Sequence, residues 1–263
     1  MARVGLRIVA LTYLLFLLVL PVGLICWRTF ENGVGPVYAA LTSPSAVHAF
    51  QVTLETAIPA VIANTLFGVG VAILLVRHRF VGRRVLNALV DLPIAVSPVV
   101  VGLGLILVYG RFAPIGGWFA NRGIDIIFSI PGMVLATIFV SLPLVVRAIA
   151  PVLEEVGTDQ EQAAWTLGAT SWQGFRRVTV PAIKWALAYG MVLALARCLG
   201  EYGAVAVVSG NLVDQTQTLT LFVQERFGNF DQQSAYAASF ALAVIAVATL
   251  FLISLLRPKE GSR

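Results

Sequence analysis

Arg197 and Glu201 stand four positions apart inside a run that is otherwise apolar. On a helix that spacing puts both side chains on one face. An arginine within a membrane-length segment costs on the order of 3 kcal/mol on insertion scales and is rarely left unpaired. Two accounts of the pair stay open: a structural bridge in which each charge neutralises the other, or a role in a pathway through the membrane. Chemistry of other kinds finds no comparable set. His48 and His78 lie on opposite sides of an apolar run and no histidine lies within one, so no catalytic constellation assembles inside the membrane. Cys26 and Cys198 each sit in an apolar run without metal-ligand spacing, where a thiol behaves as a small hydrophobe. No G-x-x-x-x-G-K-[ST] phosphate loop occurs. The sequence therefore predicts no catalytic, metal or cofactor site in this chain.

The elements that position the pair are apolar. Of 263 residues, 59% are hydrophobic and 12% charged, a balance that points to an integral membrane protein organised as one domain over 1–263. Six runs are long enough to cross about 30 Å of hydrocarbon as helices: 8–27, 56–76, 92–110, 126–146, 185–208 and 232–256. The first follows Arg3 and Arg7 like a secretory signal, but it exceeds the length of an h-region and no small-residue cleavage site follows, so it is expected to stay as an anchor. The net charge of +5 is read as an excess in cytoplasmic loops rather than as affinity for nucleic acid. With the N-terminus inside, thirteen of the 18 Lys and Arg face the cytoplasm, Arg257, Lys259 and Arg263 among them. That bias predicts both termini and the segment 154–181 on the cytoplasmic side. The connections 28–55, 111–125 and 209–231 are then external loops. Pro21, Pro59, Pro93, Pro98, Pro131 and Pro143 fall in or at the ends of runs. Each frees a carbonyl that neighbouring helices or cavity water must satisfy. The stretch from Asp91 to Pro98, with Ser97 before the second proline, is the densest case and is placed near a pathway.

The polar segment 154–181 reads as a helix-turn-helix outside the membrane. Thr158 and Glu161 have the spacing of a capping box, which starts a helix at about Asp159. Good helix formers carry it to Leu167, and Gly168 supplies the left-handed residue that ends it. Thr170 or Ser171 caps a second helix through Phe175, and Pro181 closes the segment.

Gln162-Ala163-Ala164, then Gly168, then Val178-Thr179-Val180-Pro181 resembles the EAA loop in membrane subunits of ATP-binding-cassette importers. The family pattern is Glu-Ala-Ala, three residues, Gly, nine residues, Ile, any residue, Leu-Pro. The spacing agrees throughout, with Gln162 in place of Glu and valines for Ile and Leu; Glu161, one position early, reads as a cap. The segments Ala196-Arg197-Cys198-Leu199-Gly200-Glu201-Tyr202-Gly203-Ala204, Val207-Val208-Ser209-Gly210-Asn211 and Gln217-Thr218-Leu219-Thr220-Leu221, with Asp91-Leu92-Pro93 and Ser97-Pro98-Val99-Val100, are similar to the oxyanion branch of these importers, within it the sulfate and thiosulfate permeases. The resemblance spans about 8–256. It implies an all-α membrane protein with the type I importer permease fold: six transmembrane helices and a cytoplasmic coupling helix-turn-helix. Sulfate import by alternating access is the implied function. Molybdate or tungstate permeases, which share the Gly-Glu-Tyr/Phe-Gly-Ala core, are the rival, and a membrane scaffold without transport is the third reading. The implied partners are a cytoplasmic ATPase dimer that holds ATP and magnesium, a second related permease subunit, an external sulfate-binding protein and membrane lipid. Coupling would fall to Gln162, Ala163, Ala164, Leu167, Gly168, Val178 and Pro181. Ser97, Pro98, Arg197, Glu201, Gly203 and Ser209 are the candidates to line the pathway.

Overall fold

The computed structural model describes residues 2–256; Arg257, Lys259 and Arg263 lie outside them. No strand occurs among the described residues. The chain opens with α1 (Ala2–Leu14), which continues through a wide π turn at Leu15–Val19 into α2 (Leu20–Phe30), then the short α3 (Val34–Leu41) and α4 (Pro44–Arg77). Ser43 starts α4 by accepting the Ala46 N–H at 3.4 Å, with Pro44 at the first position, where a missing amide proton does no harm. The helix has 34 residues, about 50 Å at 1.5 Å each, so it projects beyond a hydrocarbon layer of about 30 Å.

Next come α5 (Arg83–Ala95), α6 (Pro98–Tyr109), α7 (Pro114–Ala120), α8 (Ile130–Val156), α9 (Asp159–Thr166) and α10 (Ser171–Gly174). A second π turn, Phe175–Thr179, joins α10 to α11 (Val180–Leu199), followed by α12 (Gly203–Ser209), α13 (Leu219–Gly228) and α14 (Gln232–Leu256). Among the described residues, five helices are long and apolar enough to span a membrane, or six when the bent pair α5 and α6 counts as one span. The chain is a multi-pass membrane protein.

Several boundaries differ from the sequence reading. Run 92–110 is not one straight helix: α5 and α6 meet at 114°. Ser97 is extended (ψ 134°) because Pro98 disfavours helical geometry in the residue before it, and Val96 is extended beside it (ψ 135°). Run 185–208 is broken at Gly200–Tyr202, with α12 beginning anew at Gly203. Pro181 does not close the coupling segment, because Ser171–Leu199 is one helix of 29 residues. The wide turn ahead of it, in which the Val180 N–H reaches back to the Phe175 carbonyl, makes room for a ring that would otherwise strike the carbonyl four residues earlier. The three outer connections are not plain loops either. They hold α3, α7 and α13, each too short to register as a span.

The core forms where α4, α8 and α11 pack together, with Ala60, Val145, Val146, Ile149, Leu153 and Ile183 buried at the contact. Glycine permits the closeness. A Cβ on Gly68 of α4 would lie 2.8 Å from Val145 Cγ1, and one on Gly190 of α11 would lie 3.4 Å from the Val145 Cα. Val145 of α8 is thus gripped from two sides by helices that approach over small residues, the usual means of helix association in lipid. At the end of the bundle away from α9, α13 covers α4 and α14 through Leu219, Phe222, Ala46, Ala49 and Ala238. There Thr53 accepts the Leu219 N–H at 2.9 Å. Helix α14 also holds α2, with Phe30 and Phe240 edge to face at 5.0 Å.

Candidate translocation and coupling sites

The two breaks in otherwise regular helices meet in space. Pro98 opens α6 beside the first break and Gly203 opens α12 beside the second; a Cβ on Gly203 would sit 3.1 Å from the Pro98 Cβ. Helix α6 then runs against α12 so closely that a Cβ on Gly102 would be 3.0 Å from the Ala204 carbonyl. Irregular backbone at membrane depth survives only where protein or a water-filled cavity satisfies it. Here side chains do part of that work. Glu201, 3% exposed, accepts the Ala204 N–H on Oε1 at 2.9 Å, which supplies one of the acceptors α12 needs at its start. The Thr220 hydroxyl donates to the Glu201 carbonyl at 2.8 Å.

Arg197 and Glu201 are brought together as their spacing predicts, Nη1 to Oε2 at 2.5 Å. Oε2 has no aligned hydrogen-bond donor, so this contact is charge attraction. The two sides are unequal: the Glu201 side chain is 2% exposed and that of Arg197 39%. Ser97 is exposed and Pro98 half-buried. Ser209 is fully buried; its hydroxyl accepts the Asn211 N–H at 3.1 Å and its carbonyl accepts the Thr216 hydroxyl at 2.6 Å. Asp91 pairs with Arg147 of α8, whose Nε donates to Oδ1 at 2.8 Å while Nη2 reaches Asn87 at 3.0 Å.

One group escaped the sequence reading. Asn64 of α4, fully buried, donates to the Ser141 hydroxyl of α8 at 2.7 Å and to the Ile138 carbonyl at 3.2 Å. The Cys198 thiol of α11 donates to the same hydroxyl at 3.3 Å. A lone asparagine in an apolar run was the available signal, since polar side chains between membrane helices act as interhelical ties.

The coupling segment keeps its outline and changes in detail. Gly168 takes the left-handed conformation, φ 85°, and ends α9 as expected. The second helix is capped by Thr170, which accepts the Gln173 N–H while Gln173 accepts the Thr170 N–H, a complete capping box. The box expected from Thr158 and Glu161 does not form. The Thr158 side chain caps nothing and instead accepts from Gln162 Nε2 at 2.9 Å. Glu161 turns inward, where its Oε1 accepts from Arg77 Nη2 at 3.2 Å and from the Thr179 hydroxyl at 2.8 Å. A partly buried ion pair with a second donor outweighs a solvent-exposed cap. Gln162 and Ala163 are exposed, Ala164 is half-buried, and Leu167 is 88% exposed beside Trp165 at 51% and Trp172 at 66%. Val178 is half-buried and Pro181 exposed on the long helix. These apolar side chains stand open on an otherwise polar element.

Residues 64–260 match the family described as "Binding-protein-dependent transport system inner membrane component". The chain is 46% identical to the "Sulfate transport system permease protein CysW" of Synechocystis sp. over 96% of this chain and 91% of that protein. It is 36% identical to "Sulfate transport system permease protein CysT" of Escherichia coli, strain K12, over 97% of this chain and 92% of that one. The crystal structure of a bacterial alginate ABC transporter in complex with alginate pentasaccharide-bound periplasmic protein superposes with a TM-score of 0.76, at 16% identity, covering 97% of this chain and 92% of the matched chain. The all-helical fold with bent spans is that of ABC importer permeases, and this chain belongs to the family of binding-protein-dependent transport system inner membrane components.

Proposed function

We propose that this chain is a permease subunit of an importer that carries sulfate or thiosulfate into the cytoplasm by alternating access, driven by ATP hydrolysis on a separate subunit. The observation that carries the reading is the 46% identity with a sulfate permease protein over 96% of the chain. The paired breaks at Pro98 and Gly203 agree with it, because transporters build substrate sites where spanning helices are interrupted. The excess of Lys and Arg on one side supports a cytoplasmic position for both termini and α9. There Trp165, Leu167 and Trp172 face an ATPase dimer, which binds ATP and magnesium, with Gln162, Ala163, Ala164 and Gly168 on the same element. A second, related permease subunit completes the pathway, as the likeness to both CysW and CysT suggests, and an external binding protein delivers the anion. Ser97, Pro98, Arg197, Glu201, Gly203 and Ser209 are assigned to the translocation region around the breaks.

The test is uptake of labelled sulfate and labelled molybdate by cells that lack their own sulfate importer and express this chain with its partners. Sulfate uptake that excess thiosulfate suppresses and trace molybdate leaves unchanged is the expected result. Molybdate uptake without sulfate uptake would overturn the reading in favour of a molybdate or tungstate permease. No uptake of either, with the complex assembled and ATPase active, would favour a scaffold.

A further inference from the structure

We infer that Glu161 is a positioning residue that fastens the coupling element to the two spans it must move, α4 and α11, and thereby sets how much anion is carried per ATP hydrolysed. The inference rests on the importer reading above. Helix α9 has no fully buried residue and its Trp165 is half exposed, so apolar packing ties it to the bundle only weakly. Its attachments are specific. Trp165 lies over Gly174 of α10, where a Cβ would come within 3.3 Å of the indole Nε1. Glu161 meets Arg77, the last residue of α4, and Thr179, the last residue of the wide turn that leads into α11. The three residues come from separate parts of the chain, 84 and 18 positions from Glu161. Side chains of the ion pair are 10% and 12% exposed, so water and salt screen the attraction little. Gln162, one position on, points outward and is exposed. The two neighbours thus divide the work, with Gln162 toward the partner and Glu161 toward the spans.

Glutamine at 161 keeps an acceptor for the Thr179 hydroxyl and removes the charge that holds Arg77, whose Nε is already buried without a partner. In the complete complex reconstituted in liposomes, Glu161→Gln should assemble and still hydrolyse ATP. Sulfate moved per ATP should fall about fivefold or more, the scale of ordinary coupling energies. The charge exchange Arg77→Glu with Glu161→Arg should return the ratio toward wild type, which a merely structural defect would not do. If Glu161→Gln fails to assemble, Thr179→Val, which removes only the hydroxyl donor, carries the same measurement. A wild-type ratio in the assembled variant overturns the inference, as does a fall that the charge exchange leaves uncorrected. A second readout does not depend on the cargo. Spin labels on His78→Cys and Gln160→Cys should keep one separation with and without ATP, and should lose it in Glu161→Gln. A separation that changes with ATP in the otherwise wild-type protein overturns the fastening. Absence of sulfate uptake by the wild-type complex overturns the cargo reading alone.

Discussion

Replacing Arg197 by leucine should destabilise the protein more than replacing Glu201 by glutamine, and the inequality follows from their burial. Without Arg197 a carboxyl group that is 2% exposed is left buried with no counter-ion, a situation worth about 3 kcal/mol at the low end of the range for broken buried pairs. The low end applies because the arginine side chain is 39% exposed, so part of the attraction is already screened. Glu201→Gln keeps an oxygen for the Ala204 N–H and leaves an arginine with a route to solvent, so its effect should be about 1 kcal/mol or less. Arg197→Leu with Glu201→Gln should recover most of the first loss. Arg197→Leu with Glu201→Leu should fall short of that by about 1 kcal/mol, because the start of α12 loses its acceptor. Thermal unfolding of the purified variants in one detergent, followed by fluorescence-detected size exclusion, gives the ranking. Equal stability of Arg197→Leu and Glu201→Gln would refute the buried-carboxylate argument. Sulfate uptake by the double variant that combines Arg197→Leu with Glu201→Gln then separates the two roles of the pair. Full uptake leaves the arginine a structural partner, and a stable but inactive protein assigns it to the anion.

Gly68→Ala should destabilise by about 1–3 kcal/mol through overpacking, since its Cβ would lie 2.8 Å from Val145 Cγ1. Adding Val145→Ala should recover part of that loss in the same unfolding assay. Gly168→Ala meets no neighbour within 4 Å but must hold φ at 85°, which strains the backbone by about 1 kcal/mol; copurification with the ATPase should weaken while membrane insertion is unchanged. A thiol at Asn121 should react with an impermeant label from outside intact cells and one at Gln173 should not, and the reverse pattern would invert the proposed orientation.

Composition was enough for the number of spans, and local spacing was enough for the Gly168 terminus and for a cap at 170 or 171. Two kinds of feature stayed hidden. The breaks at Val96–Ser97 and Gly200–Tyr202 lie inside runs whose average hydropathy is uninterrupted, and averaging removes what a single proline or a glycine followed by a glutamate does to the backbone. Pro98 was visible, but a proline kinks or breaks a helix according to what surrounds it. Glu161 was misread for the opposite reason. Its spacing from Thr158 fits a local rule, and the interaction that won comes from Arg77, 84 residues away. Pro181 reads as a terminator because nothing in the sequence announces that a helix will widen by one residue to admit it.

That widening has a mechanical result. Because the π turn at Phe175–Thr179 absorbs Pro181 without ending the helix, the start of the second helix at Ser171 and the break beyond Leu199 are opposite ends of one continuous helix of 29 residues. Its length is about 40 Å, so a tilt of about 10° at the partner's end swings the other end by about 7 Å. A small tilt of the whole helix at its Ser171 end thereby becomes a displacement several times larger than an ordinary side-chain adjustment at the depth where the two helix breaks meet.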